Sequence, residues 1–292
     1  SARTWTIHAQ AAISLQALNQ PTGPRKDLPM TTSTAGRVSR EKRGHIMLIG
    51  LDRVAKRNAF DEPMLTDLVM AMGEYERDSN ARCALLFAHG DHFTAGLDLA
   101  NVADLFRNGW QLPKGAIDIW GTFGGPRLSK PLIVAVQGFC YTMGIELMLA
   151  ADINLCASNT RFAQMEVQRG ILPFAGATLR LPYVAGWGNA MRWLLTGDEF
   201  DAAEAYRIGL AQEVMATEDL MARAVWLAER VAAQAPLGIQ ATLATARQTF
   251  SQGADEAARS LQPLAKMLLA SEDAREGVQA MLERRAGVFK GR

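Results

Sequence analysis

Cysteine and histidine are scarce in this chain. The three cysteines, Cys83, Cys140 and Cys156, are odd in number, lie inside apolar runs and include no CxxC pair. That argues against a disulfide scaffold and reads as small buried hydrophobes in a reducing, cytoplasmic setting. Of the four histidines, only His89 and His92 lie close together, so no metal site is expected. Net charge is almost absent: 31 basic against 30 acidic residues leave +1. Such a balance creates no global field to steer nucleic acid or an anionic membrane, and neither is expected as a partner. It still allows a local basic patch for a phosphorylated small molecule. Long hydrophobic runs are missing too, none approaching the roughly 20 residues of a membrane span.

What is present is length and apolar content. A chain of 292 residues with 49% hydrophobic residues buries a sizeable core, as one large domain or one domain plus an appendage. Residues 1–37 differ from the rest, with weak periodicity, a Thr/Ser run and no secretory h-region; they read as a flexible extension. A stretch at 11–18 has a short helical pattern, and Met30 followed by TTSTAG resembles a natural start, which would make the upstream residues an extension. Folded sequence begins near Val38. Strands are expected at 44–51, 84–88, 132–136 and 153–157. A helix is expected after Asp61, with Pro63 in its first turn and Leu65, Leu68, Val69 and Met72 on one face. From Gly186 the pattern turns helical, over 188–195, 201–209, 219–235, 237–250, 254–269 and 271–285, with Asp201 and Ser271 as caps. Strands alternating with helices predict an α/β fold. A core over 38–225 is then followed by a helical region, 226–292, suited to oligomerisation.

The chemistry concentrates in 136–166. There Glu146 and Glu166 sit in otherwise apolar surroundings, where a carboxylate is costly unless it is protonated, paired or used. Two loops follow buried strands. In HFTAGLDL (92–99), Gly96 beside Ala95 lets backbone approach a ligand closely. In GFCYTMGIEL (138–147), the chain turns from strand into helix, where first-turn N–H groups have no internal partner and the helix dipole adds positive charge. Glu146 lies three residues beyond Met143, one helical turn in, so an oxyanion donor and a proton-transfer group share a face.

These blocks resemble the crotonase superfamily, with enoyl-CoA hydratase the nearest branch. HFTAGLDL resembles its F-x-A-G-x-D-L/I loop, and KPLIVAVQGFCYTMGIELMLAADI its strand, glycine turn and G-x-E-L block. FAQMEVQRGILPFAGATLRL resembles F-x-x-P-E-x-x-x-G-x-x-P-x-x-G-x-x-x-R-L, and TGDEFDAAEAYRIGLAQEV the following T-G…A-x-E-A segment. The resemblance implies a spiral of ββα turns, with C-terminal helices building a homotrimer or a dimer of trimers. It implies an acyl-CoA thioester substrate and no cofactor beyond the coenzyme A that the substrate carries. Its thioester oxygen would sit between the backbone N–H groups of Leu97 and Met143, and Glu146 and Glu166 would hold and activate water. Lys56 and Arg57, from the basic loop 53–57, together with Ala95, Gly96, Asp98, Leu99 and Lys290, would line the CoA moiety. Asp98 is also expected to cap the helix after its loop.

The implied reaction adds water across the 2,3 double bond of a 2-enoyl-CoA through an enolate. Alternatives are an enoyl-CoA isomerase, a carnitinyl-CoA dehydratase-like enzyme, an acyl-CoA hydrolase or a non-catalytic CoA-binding module. Thr142–Met143 where glycines are usual, and Met165 where proline is usual, are departures that bear on pocket shape. Phe174 stands where dienoyl-CoA isomerases carry an aspartate. Both acids are present, whereas isomerases moving a 3-double bond generally keep only the second.

Overall fold

The structure is a computed structural model and describes residues 35–292. The 11–18 stretch, Met30 and most of the expected extension 1–37 lie outside the described residues. Gly36 and Arg37 already belong to the fold: the Gly36 N–H donates to Asp61 Oδ2 (2.8 Å), and Arg37 opens the first strand. A hairpin of β1 (Arg37–Arg43) and β2 (Ile46–Asp52) turns at Gly44. It is followed by α1 (Glu62–Arg77), whose Asp61 cap accepts the Met64 N–H at 3.0 Å. Leu65, Leu68, Val69 and Met72 form its buried face, as their spacing requires.

Next come β3 (Cys83–Ala88) and α2 (Leu99–Arg107), then β4 (Leu132–Val136), β5 (Phe139–Tyr141) and α3 (Met143–Ala150). After β6 (Ile153–Ala157) and β7 (Arg161–Ala163), a 3-10 turn at Glu166–Arg169 leads to α4 (Ala177–Ala185) and α5 (Trp187–Thr196). The chain continues through β8 (Glu199–Asp201), α6 (Ala202–Arg207), β9 (Glu213–Met215) and α7 (Thr217–Ala232). It ends in α8 (Pro236–Gln252), α9 (Ala254–Leu269) and α10 (Glu272–Glu283).

One sheet runs β1-β2-β3-β4-β6-β9, parallel apart from the β1–β2 hairpin; a smaller one runs β5-β7-β8. The repeat is a large-sheet strand, a small-sheet strand and a helix, as in β4–β5–α3 and β6–β7–α4. The loop after β3 joins the pattern through a parallel bridge between Thr94 and Cys140. This is the expected ββα spiral.

Alternate residues of the large sheet face opposite sides. Ala84, Leu86, Leu132, Val134 and Val136 pack with α1 and α3, whereas Cys83, Leu85, Ile133, Ala135, Leu155 and Ala157 pack against α7. Helix α7 meets them with Leu220, Ala224, Ala228 and Ala232, a stripe small enough for close approach. Each fully buried Leu, Ile or Val contributes about 1.5–3 kcal/mol. The three cysteines are free and buried in these layers.

Two elements carry no local signal in the sequence, and one expected boundary needs correction. The sequence RVSREKR of β1 is too charged and exposed to read as a strand; its pairing with β2 creates it. Helix α4 contains Pro182 and has no side-chain cap, so it carries no local start signal. A boundary at 225/226 falls inside α7, whose buried face runs across it, so that helix belongs to the core. Helix α8 is docked by Arg247, which pairs with Asp152 (2.7 Å) and donates to the Leu128 carbonyl.

Candidate active site

Two loops from successive ββα turns meet at the top of β3 and β4. In the first, the Thr94 N–H donates to Phe139 O (2.8 Å) and the Tyr141 N–H to Thr94 O (3.1 Å), which zips this loop to β5. Three residues on, Leu97 forms a parallel bridge with Phe60. The bridge uses atoms on either side of Leu97: the Phe60 N–H donates to Gly96 O (2.8 Å) and the Asp98 N–H to Phe60 O (2.9 Å). The Leu97 N–H therefore faces away from Phe60 and has no hydrogen-bond partner among the described residues.

In the second loop, Thr142 turns the chain from β5 into α3 at φ 46. Its N–H donates to Ala163 O (2.8 Å), and its carbonyl accepts the Glu146 N–H (3.2 Å). The Met143 N–H is the first of α3 and likewise has no partner among the described residues. The loops touch at Gly96, where a Cβ would lie 2.2 Å from Thr142 Oγ1; with φ +93, only glycine fits. Gly144 is fixed by the same packing, since a Cβ there would lie 2.7 Å from Thr94 Cγ2.

Glu146 projects from the first turn of α3 and is only 2% exposed. Its Oε1 accepts the N–H groups of Ala175 (2.9 Å) and Ala177 (3.1 Å), so the start of α4 holds the carboxylate in place. Burial pushes this carboxyl up to about 8, and the nearby charge of Glu166 adds to the rise, against those two N–H bonds and Arg180. Glu166 opens the 3-10 turn after β7 and is 6% exposed. Its Oε1 accepts from Gln164 Nε2 (3.1 Å), while its Oε2 is buried with no partner among the described residues. Burial raises it to about 7. The spiral thus brings together two acids that titrate in each other's field, from separate turns, with two partnerless N–H groups.

The remaining residues divide. Lys56 and Arg57 are exposed on a turn stitched to the first loop by the bond from the Ala95 N–H to Arg57 O (2.9 Å). Leu99 opens α2, and its N–H donates to Leu97 O (3.0 Å). Lys290 is exposed; its N–H and that of Gly291 donate to the buried Asp273 (2.7 and 2.8 Å), which ties the C-terminal tail to α10.

Two expectations fail here. The Asp98 carboxylate makes no cap bond to α2. It pairs with Arg53 at 2.9 Å, because a buried guanidinium nearby offers a stronger partner than a backbone N–H. Arg53, expected in the basic CoA-facing loop, turns inward to Asp98 and Asp61 (3.1 Å) and is buried. His92 is a strut: it stacks on Phe139 (4.2 Å), and its Nδ1 accepts the Phe139 N–H (3.1 Å). Sequence reasoning missed the Ala175, Ala177 and Gln164 contacts, for which the only local signal is Gly176 at φ 110.

The sequence pattern of the enoyl-CoA hydratase/isomerase family matches residues 41–292. The chain belongs to that family. Among its relatives, it is 32% identical to enoyl-CoA hydratase EchA19 of Mycobacterium tuberculosis over 257 residues, covering 86% of this chain and 96% of that protein. It is 35% identical to the carnitinyl-CoA dehydratase of Citrobacter koseri, covering 86% and 97%. Among solved structures of the family, a probable enoyl-CoA hydratase/isomerase from Mycobacterium abscessus superposes with a TM-score of 0.85 at 50% identity, covering 87% of this chain and 98% of that one. The ββα spiral described above is thus the crotonase fold. No helix among the described residues is long and apolar enough to cross a membrane.

Proposed function

We propose that this family member is an enoyl-CoA hydratase, adding water across the 2,3 double bond of a 2-enoyl-CoA thioester. The observation that carries the reading is two buried carboxyls beside two loop N–H groups that nothing in the described chain engages. Hydration places negative charge on the thioester oxygen as an enolate. Donors preorganised for that oxygen are worth about 2.7–4 kcal/mol of barrier each. Leu97 and Met143 supply them through backbone, so their bulky side chains are no obstacle.

The reaction also needs a base for the water and an acid for the α-carbon at the same moment. Carboxyls raised to about 8 and about 7 share protons near neutrality, so one is ionised while the other is protonated. Between them Glu146 and Glu166 activate the water and deliver the α-proton: Glu146 Oε1 is held by two N–H groups, and Glu166 Oε2 is buried and unengaged. No cofactor beyond the substrate's own coenzyme A enters this scheme. Lys56, Arg57 and Lys290, with the Ala95–Leu99 backbone, receive the CoA moiety. The same groups run the reverse dehydration, so a carnitinyl-CoA dehydratase-like activity is the second reading, favoured by the relative of that name.

Large apolar side chains are exposed on α4 and α5 (Tyr183, Trp187, Leu195) and on α9 and α10 (Leu269, Met281, Leu282). These faces suit a homotrimer or a dimer of trimers. Incubation with crotonyl-CoA tests the activity by loss of the conjugated thioester absorbance. Loss at enzymatic rates supports it; no loss with several chain lengths, despite CoA binding, overturns it.

A further inference from the structure

Resting on the hydratase reading, a further question is how far the acyl group extends past the acids. The CoA end leaves on the side of the basic turn at Lys56 and Arg57. The acyl end therefore runs the other way, between the wall that carries Leu97 and the wall that carries Glu146. Helix α2 starts two residues after Leu97 and presents Phe106 two turns along. From the other wall comes Phe174, the neighbour of Ala175, whose N–H holds Glu146. The two rings meet with centroids 4.8 Å apart. That is direct contact, with no room between them for a methylene chain.

Behind this contact the space is filled. Phe123 packs on both rings, at 6.1 and 6.5 Å. Trp110 reaches Phe106 (5.9 Å) and Phe123 (5.2 Å), and Trp120 closes against Trp110 and Phe123. Both tryptophans are buried, and the Trp120 carbonyl is clamped by Arg180. A wall braced by five rings does not collapse aside easily, since methylenes forced into packed aromatic space push side chains off their rotamers and shift the backbone.

We infer that Phe106 and Phe174 form the end wall of the acyl site, and that the substrate class is a short 2-enoyl-CoA with little chain beyond the β-carbon. The prediction for wild type is a kcat/KM for crotonyl-CoA on the order of 100-fold above that for 2-decenoyl-CoA. Phe174→Ala and, separately, Phe106→Ala should each shrink that ratio by roughly tenfold or more, with a thermal melt confirming that each variant folds.

Binding of saturated butyryl-CoA and decanoyl-CoA, measured by calorimetry, gives a readout independent of hydration. Preference for butyryl-CoA that weakens in either variant supports the wall, even if no enoyl-CoA is hydrated, in which case the proposed activity alone falls. Hydration of decenoyl-CoA as fast as crotonyl-CoA, or a ratio unmoved in both variants, overturns the wall and leaves the activity standing. Binding of neither thioester overturns both.

Discussion

Replacing Glu166 by glutamine keeps the shape of the side chain and removes its charge. In the folded chain, burial lifts this carboxyl from 4.5 to about 7. The fold therefore holds the Glu166 proton more tightly than the unfolded chain does. Stability is lost as pH rises from about 4.5 towards 7, and the loss is complete above that window. At about 1.4 kcal/mol per pH unit, the cost of the ionised group is about 3 kcal/mol. The amide never ionises, so Glu166→Gln should be more stable than wild type at high pH, and much less so at about pH 5, where the native carboxyl is protonated too.

For a chain of this size, the melting-temperature advantage should be about 3–8 °C larger at pH 8.5 than at pH 5. Paired thermal melts at the two pH values measure it. Turnover should meanwhile fall roughly 100- to 10,000-fold, with CoA affinity nearly unchanged. An advantage that is equal at both pH values would show that Glu166 is not a strained buried acid, and the pKa argument would collapse with it.

The pH profile of kcat/KM should be bell-shaped with its optimum between about 7 and 8: below this range both acids are protonated and no base remains, above it both are ionised and no acid remains. A flat profile over pH 6–9 would contradict the shared-proton scheme. Gly96→Ala should reduce kcat at least roughly 100-fold, because its Cβ would collide with Thr142 Oγ1 at 2.2 Å and separate the two donors; wild-type kcat would show that the loops do not set the donor spacing. Arg53→Met strands Asp98 and Asp61 and should cost about 3–5 kcal/mol in denaturant unfolding; a loss under 1 kcal/mol would mean that the ion pairs are incidental. Lys56→Ala with Arg57→Ala should raise KM for CoA thioesters roughly tenfold while sparing kcat; an unchanged KM would remove that turn from the CoA site.

Much of the fold, and the acids of the candidate site, were legible in the sequence, because local and global signals agree there. The α1 cap at Asp61, its apolar spacing and the buried runs of β3, β4 and β6 each name their element without outside help. Glu146 and Glu166 stand out as charge in apolar company. What stayed hidden depends on contacts distant in sequence. The charged β1 becomes a strand only against β2, and Arg53 reads as a solvent-facing cation until Asp98, 45 residues on, claims it. The Ala175 and Ala177 N–H groups carry no side-chain signature, so only the folded backbone reveals them as the clamp on Glu146. The end wall draws on aromatics from α2, the following loop and the 174 turn, which no local pattern links.

The most direct test of the central claim is turnover of crotonyl-CoA in ¹⁸O-labelled water, followed by mass spectrometry of the intact thioester and its acyl fragment. The hydratase account predicts a 3-hydroxyacyl-CoA carrying one heavy oxygen on the β-carbon, and no such product from Glu166→Gln. Label in a released carboxylate would signal a hydrolase, and recovery of only isomeric enoyl-CoA without added mass would signal an isomerase; either result contradicts the account.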